Sequence, residues 1–181
     1  MNNYTTLIGE LKREIVNFSK KVCKGKSKPV LKFVTDMFYG MLECQNVHLS
    51  NIARALKEKI TLKKVIERLS RNLAELNEGQ EIFDNYVNNI KKEEKETGIL
   101  VIDETEVAKP QSVSLEDMCE IRDGSTKEIT QGYFIIEMVA LAKSHKMPIP
   151  VYSKLYSSKE KEFVSSDNEI IEGLKYLSKN F

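Results

Sequence analysis

Apolar residues recur along the first half of the chain at the three- and four-residue spacing that lines one face of an α-helix. Leu7, Leu11, Ile15, Phe18 and Val22 form the first such series. The segment Gly25-Lys26-Ser27-Lys28-Pro29 interrupts it, and Pro29 suits the opening turn of a second helix, where a missing backbone N–H costs little. Val30, Leu31, Val34, Met37, Phe38, Met41 and Leu42 then form a broad apolar stripe. Ser50 reads as the N-cap of a short helix carrying Ile52, Ala53 and Leu56. Thr61 reads as the cap of a longer one, with Leu62, Val65, Ile66, Leu69, Leu73 and Leu76 facing inward. A last helix carries Ile82, Phe83, Tyr86, Val87 and Ile90 and runs into KKEEKE, with Gly98 as its C-cap.

The pattern changes at Gly98. Ile99 to Ile102 is an unbroken apolar run ending at Asp103, as expected of a strand buried on both faces. Residues 105–128 read as a loop, with a short helix near Leu115–Cys119. Gly132 to Leu141 is rich in aromatic and β-branched residues and predicts a second strand, and a third follows from Val151 to about Tyr156. Ser166 and Glu169 have capping-box spacing and open a terminal helix bearing Ile170, Ile171, Leu174 and Leu177. The expectation is an all-α domain over residues 1–97 followed by an α/β domain over residues 98–181.

Composition narrows the class. The chain has 181 residues, 41% of them hydrophobic and 30% charged, which argues against global disorder. No apolar stretch approaches the roughly 18 residues that cross a bilayer. The first residues lack the basic start and apolar block of a secretory signal. Cys23, Cys44 and Cys119 are odd in number and far apart, so neither a disulfide framework nor a zinc site is expected. A cytoplasmic protein is the expectation. The net charge of +1 hides an asymmetry: residues 12–71 carry 15 Lys and Arg against 5 Asp and Glu. A basic segment of that kind suits a polyanion partner, and it equally suits a helical domain kept soluble by lysine.

The two helices between residues 50 and 76 have helix-turn-helix proportions. Lys63, Lys64, Arg68 and Arg71 lie away from the apolar stripe of the second, so this helix can lie along phosphates or enter a groove; an ordinary solvated face reads the same way. Arg54 and the loop lysines Lys24, Lys26 and Lys28 add charge of the same sign. Asp103 is the other candidate. A carboxylate at the end of a buried strand is rigidly held and suits a hard divalent cation, although a lone Asp at that place more often starts a turn. His48, His145 and the serine pairs at 157–158 and 165–166 have no partners at catalytic spacing, and no Gly-rich phosphate loop is present.

The order of motifs from Ile99 onward resembles the catalytic core of DDE transposases of bacterial insertion sequences. The resemblance is carried by Asp103, Thr105 and Lys109 in ILVIDETEVAKP, by Gly132-Tyr133 opening the next strand, by Pro150, Tyr156 and Ser157, and by Ser166-Asp167-Asn168-Glu169 opening the last helix. HLSNIARAL and ERLSRNL resemble that family's DNA-binding region. The resemblance implies an incomplete ribonuclease H-like core of three strands and one helix. It implies Asp103 as the first of three metal-binding acids, with Mg²⁺ or Mn²⁺ as cofactor in a complete enzyme. The second and third acids are not found in these residues; Asp123 and Asp167 do not fall at the end of a fourth strand. Double-stranded transposon-end DNA is the implied partner, and neither a membrane nor a small-molecule substrate is expected. A truncated transposase without activity of its own is therefore expected, and the alternative is a small DNA-binding regulator with a C-terminal dimerisation module. A sheet left incomplete after one helix is also expected to self-associate through residues 99–181, at the third strand.

Overall fold

The structure is a computed structural model and describes residues 2–93, 97–142 and 148–180. The chain is a mixed α+β protein divided into two compact units, Met1–Ile90 and Lys91–Phe181.

The first unit is helical: α1 (Asn2–Val22), α2 (Lys28–Cys44), α3 (Leu49–Leu56), α4 (Leu62–Ala74) and the start of α5 (Gly79–Glu93). Val22, Cys23, Phe33, Val34, Ile52, Ala53, Val65 and Leu69 form its buried core. Ser27 caps α2, its side chain accepting from the Val30 N–H, and Pro29 sits in the first turn. Other boundaries depart from the sequence reading. His48, not Ser50, is the N-cap of α3, and Ser50 lies within the first helical turn. Leu62 and Leu73 are exposed, so the buried stripe of α4 narrows to Val65 and Leu69, flanked by Ile66. Leu11 and Phe18 are likewise exposed while Ile15 and Val22 are buried. Gly40 lets α2 and α3 cross closely: a Cβ there would lie 2.5 Å from Cγ2 of Ile52.

The second unit is a four-stranded antiparallel sheet with one helix. Its elements are β1 (Thr97–Ala108), β2 (Cys119–Arg122), β3 (Ile129–Ala142), β4 (Pro148–Tyr156) and α6 (Ser166–Asn180). The central strand is β3. One of its edges pairs with β1; along the other, β2 pairs with residues 129–132 and β4 with residues 134–141. Ile136, Met138, Ala140, Val151, Tyr156 and Leu177 make the core between the sheet and α6. Gly173 lets the helix sit down on the sheet, because a Cβ there would lie 2.4 Å from the Met138 Cε.

Four expectations for this unit are corrected. Gly98 belongs to β1 and caps no helix. The strand does not stop at Asp103 but continues to Ala108, so Asp103 and Glu106 both lie within it. The apolar run is not buried on both faces: β1 is an edge strand, and Ile99, Leu100, Val101 and Ile102 are 61, 37, 45 and 38% exposed. Finally, no helix forms near residue 115 and β2 takes its place, with Cys119 and Ile121 turned inward and Glu120 and Arg122 outward.

At Gly132 the three strands β1, β3 and β2 meet, since it pairs with both Ala108 and Cys119. A Cβ on residue 132 would lie 2.3 Å from the carbonyl oxygen of Val107 and 2.6 Å from Cδ1 of Ile121. A backbone oxygen cannot yield as a side chain does. Replacing Gly132 by Ala is expected to cost about 2–3 kcal/mol through overpacking, seen as a lower melting temperature for the sheet unit. An unchanged melting curve would show that β1 is free to shift.

Candidate nucleic-acid interface and acidic strand site

Residues 57–61 join α3 to α4, and the turn begins at Lys57, whose φ of 49° places it in the left-handed region. Ile52 and Ala53 on α3 and Val65 and Leu69 on α4 pack into the same core with Phe33 and Val34 of α2. This is a three-helix arrangement with the second helix of the pair presenting its outer side to solvent. On that side Lys63, Lys64 and Arg71 are exposed. Lys63 lies 3.9 Å from Glu67, one turn on. Lys64 and Arg71 make no ion pair among the described residues.

The remaining cationic candidates divide by what holds them. Arg54 is exposed at the end of α3, its guanidinium donating to the Ser50 carbonyl and to Asn51 Oδ1 at 3.3 and 3.1 Å. Lys24 and Lys28 are exposed near the start of α2. Lys26 and Arg68 are not presented as the sequence reading had them. The Lys26 ammonium is paired with Glu81 of α5 and its side chain is only 11% exposed. Arg68 is paired with Asp36 and Glu58, at 3.0 and 2.5 Å. Helical spacing puts Arg68 on the flank of the buried stripe, where carboxylates from α2 and from the turn reach it.

In the second unit, the register assigns each β1 residue to a face. Ile102 and Glu104 pair with Met138 and Ile136, both in the core under α6, so even-numbered residues of β1 face the helix side. Asp103 therefore faces the other side, which no helix of this unit covers among the described residues. Across the sheet it meets Glu137, and Glu137 in turn meets Ser153. The Ser153 hydroxyl donates to Glu137 Oε1 at 2.6 Å. Two carboxylates directly opposite one another repel, and the hydroxyl offsets part of that cost. Sequence reasoning missed Glu137, because nothing in its own neighbourhood marks it; only the pairing register brings it beside Asp103.

Glu104 has a different environment. Its carboxylate accepts from the Tyr156 hydroxyl at 2.7 Å, and Ser166 lies within 3.4 Å of the same oxygen. Tyr156 is buried between Phe134 and Phe163. Burial first, and the Glu104 carboxylate after it, push the phenol up to about 12, against the pull of Ser166. Ser166 is thus occupied with the sheet and does not cap α6. Ser165 does, its hydroxyl accepting from the Asn168 N–H at 3.1 Å. Glu169, expected to close a capping box, is instead buried against Lys154 of β4, which also reaches Glu172 at 3.2 Å. The hydrogen bond to Glu169 raises the Lys154 pKa and keeps it charged. Tyr156 and Ser157 prove structural as well: Ser157 is fully buried, donates to the Asp117 carbonyl and accepts from the Lys159 N–H.

Among the described residues no group of three or more His, Cys, Asp or Glu side chains is placed to hold a metal ion, and no helix is long and apolar enough to cross a membrane. Asp103, Glu137 and Ser153 form an oxygen-only donor set, the type that hard cations select. Compared with protein-family models, with curated proteins and with solved structures, the chain matches none.

Proposed function

We propose that this chain binds double-stranded DNA through α3 and α4 and carries the opening strands of a ribonuclease H-like core of the DDE transposase type. One observation supports the core reading most directly. An antiparallel β1–β3–β4 arrangement is followed by a helix laid on one face, and Asp103 stands on its first strand in the open. The exposed basic side of α4, backed by a buried stripe, supports the DNA reading. Mg²⁺ or Mn²⁺ is the cofactor this reading calls for. Asp103 would be its principal ligand in this chain, with Glu137 beside it, and the ion would polarise a phosphate oxygen.

Duplex DNA binding measured at two salt concentrations tests the first half of this reading: affinity should fall steeply as counterions compete for the phosphates. Failure to bind at low salt would refute it. The chain alone is expected to show no nicking or strand transfer with either metal. Asp103 and Glu137 would supply ligands for one cation at most, whereas cleavage of this kind uses two ions about 3.5–4 Å apart with ligands to both. Metal-dependent nicking that disappears in Asp103→Asn would contradict this expectation and call for a further acid.

A further inference from the structure

The cluster Lys32–Asp36–Glu58–Arg68 joins three elements of the helical unit. Arg68 projects from the middle of α4, Asp36 and Lys32 from α2, and Glu58 from the turn between α3 and α4. One arm of the guanidinium reaches Asp36 at 3.0 Å and the other reaches Glu58 at 2.5 Å. Lys32 backs both carboxylates, at 2.6 and 3.7 Å. The Arg68, Asp36 and Glu58 side chains are 27, 16 and 26% exposed, so water and salt weaken these contacts less than they would on an open surface. Charge-assisted bonds of this kind are about twice as strong as neutral ones, and the planar fork of arginine fixes direction as well as distance.

We infer that Arg68 is a positioning residue for DNA binding and makes no phosphate contact. The inference rests on the DNA-binding reading above. Lys64, Arg68 and Arg71 follow one another at four and three residues, so they form one row along α4. The middle member is turned inward and tied to α2 and to the turn, while its two neighbours are exposed. That tie sets the rotation of α4 about its own axis, and hence where Lys64 and Arg71 point. It also holds the turn that separates α3 from α4. Loss of the tie leaves the cations in place but no longer aimed.

The test uses the full chain and a fluorescent mixed-sequence duplex, titrated over a range of KCl at a temperature where circular dichroism shows each variant folded. Removing the two acids together, Asp36→Asn with Glu58→Gln, raises the net charge by two and frees Arg68. If Arg68 acts by positioning, this variant binds about three- to tenfold more weakly despite its added positive charge. If Arg68 contacts phosphate, it binds more tightly, and the inference is overturned. Arg68→Met is expected to weaken binding similarly while keeping the wild-type salt slope, since no phosphate contact is lost. A slope smaller by about 0.9 would mark a direct contact and also overturn it. Unchanged affinity in both folded variants would reduce the cluster to a stability feature and overturn the positioning role. Absence of binding by the wild-type chain is a separate outcome, which refutes the DNA reading itself and this inference with it.

Discussion

Replacing Lys64 and Arg71 together by Ala is expected to weaken duplex binding by about ten- to a hundredfold near 0.1 M salt and to lower the salt slope by roughly 1.8, two phosphate contacts at about 0.9 each. Both side chains are exposed and neither is paired within the described residues, so the melting temperature should stay where it is. The comparison separates a DNA-facing surface from a merely solvated one. Equal affinity and equal slope in the double variant would remove α4 from the interface. Surface substitutions away from caps and ion pairs usually change stability by less than about 0.5 kcal/mol, which keeps the two readouts independent.

The second large effect concerns β1. Among the described residues its outer edge pairs with no other strand, and its apolar run is exposed on both faces. Such an edge is a template for another strand. Self-association is therefore expected at β1, not at the third strand as the sequence suggested. Antiparallel pairing of two copies centred near Leu100 would set apolar residues opposite one another and carry Asp103, Glu104 and Glu106 out to the two ends. In light scattering the mass of the wild-type chain should rise toward that of a dimer as concentration rises, and Ile99→Lys with Val101→Lys should return it to monomer. These two positions are exposed in the single chain, so the substitutions remove no core contact. A wild-type chain that stays monomeric at high concentration would refute the expectation.

Much of the architecture was legible because periodicity reports burial. The 3.6-residue repeat located the helices of the first unit, and the turn residues around Pro29 and Thr61 placed two of their starts. What periodicity cannot report is a strand's position within its sheet. Ile99 to Ile102 looks like a central strand by composition and is an edge strand in fact, because an apolar run does not say which neighbour is missing. Cys119–Arg122 escaped because four residues are too few for alternation to stand out amid charges. Side-chain partners were legible least of all. Arg68 and Lys64 are alike in sequence, yet Asp36 and Glu58 approach only one of them. Glu137 became a neighbour of Asp103 only through the β1–β3 register, with a whole connection between them in sequence.

The two edges of the sheet are not equivalent. On the far side from β1, strand β4 contains Pro148 and Pro150, opposite Leu141 and Val139. Neither proline has an N–H to offer, which is why proline is confined to strands with no neighbour beyond them. The start of the β4 edge is thus blunted at Pro148 and Pro150, whereas β1 contains no proline. A sheet that can grow from one edge only uses up that edge in a single two-fold encounter. Such pairing closes on itself; a sheet open on both sides would add copies without limit and form fibres. The prolines of one strand thereby decide what the exposed apolar run of another can lead to.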